Sequence, residues 1–168
     1  MNKRGHVRNA VLRSIGLGYV LDPSGDVSTF ATSGEVFLPI VLGALFPDVD
    51  TAFGKHRKTL HNLPVLLIFL AQPVYHSGNL QWVWLGVLTH YILDYLGSKR
   101  GIALFYPISS QEYGFPFGVT TSSDNAEIVT VAITIIELLL IAGLIHVLPA
   151  YLPPQVTEFI ANNTAYIA

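Results

Sequence analysis

Long apolar segments constrain the fold of this chain more than any other feature of its sequence. Three of them cover roughly residues 63–75, 80–96 and 128–148. A helix needs about 20 mainly apolar residues to cross a bilayer. Charged residues make up only 12% of the 168 residues, which is too few to cover the surface of a soluble protein of this length. The sequence therefore predicts an all-α, polytopic transmembrane helix bundle that forms one integral membrane domain, residues 1–168.

Two further segments are weaker candidates for membrane helices. Residues 34–46 are short, contain Pro39 and precede a second proline, so this helix is expected to be kinked or incomplete. Residues 6–21 are amphipathic, because Arg8 and Arg13 interrupt their apolar side chains. This first helix either spans the membrane with its arginines snorkelling towards the surface or lies in the interface. If it spans, the bundle has about five membrane helices.

The positions of the nine Lys and Arg residues favour five spans. If the helices run in order from the cytoplasm, every basic residue falls on the cytoplasmic side, as the positive-inside rule requires. The loop 22–33, the turn near Gly78 and the tail after Leu148 then lie outside and contain no Lys or Arg. The sequence thus predicts a multi-pass protein of the cell membrane with its C-terminal tail outside. The basic residues are Lys3, Arg4, Arg8, Arg13, Lys55, Arg57, Lys58, Lys99 and Arg100.

Histidine and aspartate side chains collect at the cytoplasmic ends of these predicted helices. His90 and Asp94 are four residues apart on one helix and therefore share a face. Asp48 and Asp50 follow the second helix in a predicted non-helical exit, where alternating residues face the same way and could bridge two metals. This convergence of segments that are remote in sequence predicts a metal site at one membrane face. The candidate ligands are His6, Asp48, Asp50, His56, His61, His90 and Asp94.

The types of ligand narrow the choice of metal. Imidazole and carboxylate suit zinc, manganese, iron or nickel, and the absence of cysteine excludes thiolate sites and a cysteine nucleophile. We expect one or two divalent transition-metal ions, zinc first, with manganese or iron as alternatives. His76 and His146 lie at the outer ends of their predicted helices and are expected to be structural. Glu137, within the last span, is either a protonated hydrogen-bonding partner between helices or a residue that faces the site from below.

An ordered series of motifs in this chain resembles a known family. The series is LGALFPDVD at 42–50, His56-Arg57 with His61 after it, GVLTHYILD at 86–94, SKRGI at 98–102 and Tyr106-Pro107. It resembles the membrane-bound metal-dependent hydrolases that are described as LexA-binding and inner-membrane-associated, over roughly residues 5–118. The resemblance implies that the seven candidate ligands form the site. Leu60 stands where the family usually has threonine, and Asn62 where serine is common, so a hydroxyl near the metals is missing or displaced.

Together with the resemblance, these residues predict a membrane-embedded metal-dependent hydrolase at the cytoplasmic face. It would use metal-activated water to cleave a phosphoester or a lipid-linked bond. Asp50 is the first candidate for the catalytic base, and Asp48 the second. Arg57, Lys99 and Arg100 are foremost topology anchors, and their second role would be to bind the anionic group of a membrane lipid or lipid-linked substrate. The net charge of −2 gives no reason to expect nucleic acid, and the oligomeric state is left open.

Two other functional classes stay open at this point. One is a metal-ion transporter or sensor, and the other is a non-catalytic membrane scaffold stabilised by metal. A transporter would need polar residues across the whole membrane, whereas the outer halves of the predicted helices are nearly all apolar, with Glu137 the main exception. An open coordination position that holds water would count against a scaffold.

Overall fold

The computed structural model describes residues 1–75, 78–120, 123 and 125–158. Five α-helices dominate this part of the chain, and no β-strand occurs in it, although Ser98 and Ile102 form isolated bridges with residues of a later loop. The all-α class is therefore confirmed. The helices are α1 (Lys3–Leu21), α2 (Val27–Leu45), α3 (Leu63–Tyr75), α4 (Val83–Leu96) and α5 (Asn125–Ala142). Short turns of 3-10 or π-helix occupy Pro47–Ala52, Asn79–Trp82, Gly143–Val147 and Leu148–Tyr151.

Helices α1, α2 and α4 form the centre of the fold. Helix α2 packs against both α1 and α4, α5 packs on the other side of α1, and α3 packs on α4. Helices α2 and α4 meet backbone to backbone at Gly43 and Gly86, where an added Cβ would collide with the carbonyl oxygens of Val83 and Ile40 respectively. The fully buried apolar side chains beside this contact include Ile40 and Leu17. This close packing brings the C-terminal part of α2 against α4.

Helix α2 begins earlier than predicted, so the predicted loop 22–33 is wrong in its second half. Asp26 caps the helix by accepting a hydrogen bond from the Ser28 backbone N–H at 2.8 Å. The polar residues that suggested a loop are satisfied locally. Thr29 donates its hydroxyl to the Asp22 carbonyl oxygen at 2.7 Å, and Ser33 donates to the Thr29 carbonyl oxygen at 2.9 Å. The helix also continues through Pro39 and is not cut short there.

The segment that carries Asp48 and Asp50 is not the extended exit that was predicted. It is a 3-10 turn, Pro47–Ala52, which starts with a proline in its first position, where the missing N–H costs no hydrogen bond. Both aspartate side chains are buried. Because the turn is helical, their carboxylates lie at different places: the Asp48 carboxylate is near His61 Nε2, and the Asp50 carboxylate is near His61 Nδ1.

The described residues form five α-helices, but five membrane spans stay a prediction. Two segments, Val27–Ala52 and Asn125–Tyr151, are long and apolar enough to cross a membrane. Helix α3 is apolar but has 13 residues, a length of about 20 Å against a hydrocarbon core of about 30 Å. Helix α1 is long enough to cross but not apolar enough, because it carries four basic residues. It also buries the polar side chains of His6, Asn9 and Arg13.

Candidate metal centre

The structure brings all seven predicted ligands to one end of the bundle. His6 comes from the second turn of α1, His90 and Asp94 come from α4, and the remaining four come from the 3-10 turn and the loop that follows it. Six of the seven are buried; the exception is His56, whose side chain is 36% exposed. The cluster is therefore closed to solvent except on the side of His56.

Four side-chain atoms in the cluster surround a common point. The Nε2 atoms of His61 and His90 are 3.0 Å apart. The Asp94 oxygen lies 3.6 Å from His90 and 3.7 Å from His61, and the Asp48 oxygen lies 3.9 and 4.0 Å from the same two nitrogens. Ligand atoms around a tetrahedral zinc ion are about 3.4 Å apart, given bonds of about 2.0–2.1 Å. The four atoms, called the quartet below, are His61 Nε2, His90 Nε2, Asp48 Oδ1 and Asp94 Oδ2.

Hydrogen bonds behind the two histidines leave their Nε2 lone pairs free for a metal. His90 Nδ1 lies 2.7 Å from the Ala44 carbonyl oxygen, which only accepts, so Nδ1 must be the protonated nitrogen. His61 Nδ1 donates to Asp50 Oδ2 at 3.1 Å in the same way. Burial, reinforced by the neighbouring His90, lowers the pKa of His61 to about 4, which keeps this imidazole neutral at pH 7. A metal-binding histidine needs both features.

Asp94 offers a buried oxygen that lacks a donor. Within the described ranges, Asp94 Oδ2 has no hydrogen-bonding partner. The other oxygen, Oδ1, faces the Met1 nitrogen, His6 Nε2 at 3.4 Å and the Arg57 guanidinium at 3.8 Å. A carboxylate oxygen that is buried and unpaired costs several kcal/mol. The quartet therefore fits a dication on the chemistry of its donors as well as on its distances.

Asp50 lies behind the histidines and does not join the quartet. Its carboxylate accepts hydrogen bonds from His56 Nδ1 at 3.0 Å, from His61 Nδ1 at 3.1 Å and from the Leu60 backbone N–H at 3.2 Å. Because both oxygens are used in this way, the geometry favours an orienting role for Asp50. Its roles as a metal ligand and as the catalytic base stay predictions.

His6 and His56 extend the cluster on opposite sides. The His6 ring stacks on His90, with ring centroids 3.6 Å apart, and together with Asp94 these residues form one group that could hold a metal. Asp48, His56 and His61 form a second such group. The two groups share no residue, and the quartet takes two residues from each. One or two ions are therefore compatible with the arrangement.

The three predicted substrate-binding cations lie beside the cluster but differ in their partners. With His56, they line a cleft of about 410 Å³. The Arg57 guanidinium is buried and donates to Ser98 Oγ at 3.1 Å and to a backbone carbonyl oxygen. Arg100 is held by Glu112 at 2.9 and 3.2 Å. Lys99 is exposed, and none of the described residues forms an ion pair with it, so it is the cation best placed for a ligand.

A buried polar layer, of which the sequence analysis anticipated only Glu137, lies next to the cluster. The Glu137 carboxylate pairs with Arg13 at 3.0 Å and accepts hydrogen bonds from Thr89 at 2.8 Å and Asn9 at 3.1 Å. Asn9 also donates to Thr134 at 2.8 Å. Glu137 is thus a hydrogen-bonding partner between helices, and it faces the site from below through Thr89, the neighbour of His90. Arg13 does not snorkel: it is 2% exposed.

Two features of the site left only weak signals in the sequence. The Ala44 carbonyl is free to bind His90 because it belongs to the last turn of α2, whose carbonyls lack helical partners. The polar layer could have been found from the i, i+4 spacing of Asn9 and Arg13, which places both on one face of α1. His146 lies far along the chain in the Gly143–Val147 turn and donates to the Val20 carbonyl oxygen at 2.7 Å, as expected of a structural residue. His76 lies outside the described residues.

The fold and the cluster define a helical membrane protein with a candidate centre for a divalent metal. Residues 1–156 match the model of the YdjM inner membrane protein family. The chain therefore belongs to this family, which confirms the predicted association with a membrane. No curated protein and no solved structure matches the chain. The hydrolase activity, the LexA-binding label and the identity of the metal stay predictions.

Proposed function

We propose that this protein is a metal-dependent hydrolase that works at the cytoplasmic face of the membrane on a phosphoester or another lipid-linked bond. The observation that carries the proposal is the quartet, in which two oriented imidazole nitrogens lie 3.0 Å apart and each of two carboxylate oxygens lies within 4.0 Å of both. A bound divalent ion would polarise the scissile bond and lower the pKa of a water molecule towards about 7. Zinc is the first candidate, because two imidazoles and two carboxylates suit it.

Three features of the surroundings support a catalytic site over a purely structural one: an opening to solvent, nearby cations and nearby hydroxyl groups. The cluster opens to solvent at His56, beside the cleft that Lys99 lines. Four protein donors alone would make a structural zinc site, so catalysis would require the ion to bind water in addition to the quartet or in place of one of its donors. The nearby cations, Arg57 and Lys99, would neutralise an anionic substrate group, and the remaining wall of the cleft includes the hydroxyl-bearing residues Ser98 and Thr120.

We assign the proton transfer to His56. This residue is the most exposed of the seven, and its Nδ1 donates to Asp50, so its other nitrogen carries a lone pair towards the mouth of the site. During hydrolysis a water oxygen would bond to the scissile phosphorus or carbonyl carbon while the bond from that atom to the leaving oxygen breaks. His56 Nε2 would take the water proton and then give it to the leaving oxygen. Asp50 would hold His56 and His61 in the required tautomers. The proposed catalytic base is therefore His56, and Asp50 is proposed to orient it.

The contacts of the polar layer argue against a metal-ion transporter. The layer of Glu137 and Arg13 is neutral as a pair. One turn further along α1, the centre of the bundle is filled by Leu17, Val36 and Ile40, all of them buried and apolar. A cation that left the cluster in this direction would meet first a paired arginine and then hydrocarbon. The hydrolase hypothesis does not require a path for a metal ion through the bundle.

Activity on lipid phosphoesters in mixed micelles tests the proposal. Purified protein is mixed with phospholipids and with lipid-linked phosphates and pyrophosphates, and released water-soluble phosphate is measured with and without chelator. We expect release that chelation abolishes and that zinc or manganese restores. His56→Gln should lose turnover and keep its metal, because the quartet is intact. Metal-replete protein without activity on any lipid phosphoester or pyrophosphate would favour the scaffold and contradict the proposal.

A further inference from the structure

A loop between α4 and α5 exposes large apolar side chains at the same end of the molecule as the metal cluster. Residues 104–117, called the 104–117 loop below, include Ile108, which is 96% exposed, and Phe117, which is 82% exposed. Phe105 and Phe115 are also exposed. Isolated exposed apolar residues are common on protein surfaces, but this many large ones in a short loop mark a surface that meets another apolar phase.

Backbone hydrogen bonds hold this loop at the level of the helix ends. The Leu63 N–H, at the start of α3, donates to the Leu104 carbonyl oxygen at 2.9 Å. The Phe115 N–H donates to the carbonyl oxygen of Tyr95, in the last turn of α4, at 2.8 Å. One end of the loop is thereby attached to the start of α3, and the other end is attached to the last turn of α4. If these helices lie in the membrane, the loop lies at its surface.

The opposite side of the loop is already used for packing. Ile102 and Ala103, which lead into it, are completely buried, and the Ala103 N–H donates to the Arg57 carbonyl oxygen at 2.9 Å. The exposed apolar side chains therefore cannot turn inward to complete the core. An apolar surface that faces away from the core needs a partner outside the chain.

Charges around the loop identify the partner as an anionic lipid surface. Lys58 donates to the Ser110 carbonyl oxygen at 2.8 Å, and Lys99 lies exposed near the base of the loop. Basic residues next to exposed aromatic and aliphatic side chains are typical of segments that lie in the headgroup region, where the rings enter the acyl boundary and the cations meet lipid phosphates. Acidic charge within the loop is limited to Glu112, which pairs with Arg100 at 2.9 Å and lies 3.7 Å from Lys58. The three nearby cations outnumber this one carboxylate, and among the described residues Lys99 has no ion-pair partner.

We propose that the 104–117 loop inserts Ile108 and Phe117 into the headgroup layer of the membrane leaflet next to the metal cluster. The cleft beside the cluster, which Lys99 and Thr120 line, would then open at the depth of lipid phosphates. Its ligand would be the anionic headgroup of a lipid that enters sideways from the bilayer. This last step rests on the proposed function, whereas the insertion of the loop does not.

Site-directed spin labelling measures the depth of the loop directly. The chain contains no cysteine, so Ile108→Cys, Phe117→Cys and Gln111→Cys each give a single labelling site. Gln111 is the matched control, because it is polar and exposed within the same loop. The labelled proteins are placed in nanodiscs of phosphatidylethanolamine and phosphatidylglycerol. Collision of each label with oxygen, which concentrates in lipid, is compared with collision with a water-soluble nickel chelate.

We expect oxygen collisions to exceed nickel collisions at positions 108 and 117, and the ratio to be reversed at position 111. Equal nickel accessibility at all three positions would place the loop in water and overturn the inference. Labels at 108 and 117 that are shielded from both reagents and broadened by a neighbouring label would show that a second copy covers the loop, which also overturns it. Metal content is measured in the same samples. Lipid-exposed labels on a protein that binds no metal would contradict the proposed function alone.

Discussion

Two buried imidazoles, those of His61 and His90, turn their Nε2 atoms towards each other at a distance of 3.0 Å. Each ring has its proton on Nδ1, where the Asp50 carboxylate or the Ala44 carbonyl accepts it. The facing nitrogens therefore both carry lone pairs, and these lone pairs repel each other unless a cation lies between them. Hydrogen-bond acceptors at the Nδ1 side of the ring are what orient histidines around a metal. A metal ion bound between the two rings would relieve this repulsion.

Asp50→Asn tests the orienting role of Asp50 at the residue scale. Asparagine keeps one acceptor oxygen but replaces the other with a donor, so it cannot hold His56 and His61 as Asp50 does. We expect metal affinity, measured by competition with a coloured chelator, to fall by roughly 10–100-fold, with the ion still bound at high metal concentration. If Asp50 is itself a ligand, Asp50→Asn should lose the metal as fully as Asp94→Asn does, and the orienting role would be wrong.

Helix α1 shows how an element can mislead sequence analysis. Its arginines suggested a helix at the membrane surface or one with snorkelling side chains, yet Arg13 is buried against Glu137, more than a hundred residues away. Arg4 is exposed, and Arg8 is half-exposed and 2.8 Å from Glu127. The pairing could not be predicted because it depends on the contact between α1 and α5. Periodicity alone does reveal that His6, Asn9 and Arg13 share one face of the helix.

The buried ion pair leads to a prediction about stability. Glu137→Leu leaves the Arg13 guanidinium buried without its counter-charge, and we expect a loss of about 3–5 kcal/mol in the free energy of unfolding in detergent. The double variant Arg13→Leu with Glu137→Leu should recover most of this loss. The matched control is Glu127→Gln, which breaks the exposed pair with Arg8 and should cost less than about 1 kcal/mol. Equal stability of Glu137→Leu and Glu127→Gln would contradict the buried pair.

For the molecule as a whole, the sequence predicts the helical class and the meeting of the histidines and aspartates at one end. It succeeds because both follow from local signals: apolar length, and the positions of ionisable residues near helix ends. The start of α2 was placed too late because hydroxyl side chains that bond to their own helix resemble those of a loop. The fold of residues 97–119 was not predictable, because it depends on non-local contacts such as the bond from the Lys99 N–H to the Val119 carbonyl oxygen at 3.2 Å.

The number of spans is a whole-molecule property that labelling can decide. Single cysteines at Lys58 and Gln155 are treated with a membrane-impermeant maleimide in intact and in opened cells. With five spans, position 58 reacts only when the cytoplasm is accessible, while position 155 reacts from outside. The reason is that three of the five crossings, those of α3, α4 and α5, separate the two positions. Labelling of both positions from the same side would overturn the five-span arrangement, and one of the three helices between them, the short α3 first, would then be the helix that fails to cross.

Metal content per folded protein, compared across variants, is the most direct test of the central claim. We expect roughly one zinc or manganese ion per chain in gently purified protein, which His90→Ala and Asp94→Asn lose because each removes one donor of a four-ligand site. His146→Ala is the control, since His146 bonds only to the Val20 carbonyl oxygen in the part of the chain that the structure describes. It should keep its metal. All three variants should still insert, because their apolar helices are unchanged. Equal metal retention by Asp94→Asn and His146→Ala, or metal-free wild type that gains nothing on adding zinc or manganese, would contradict the metal centre and the hydrolase built on it.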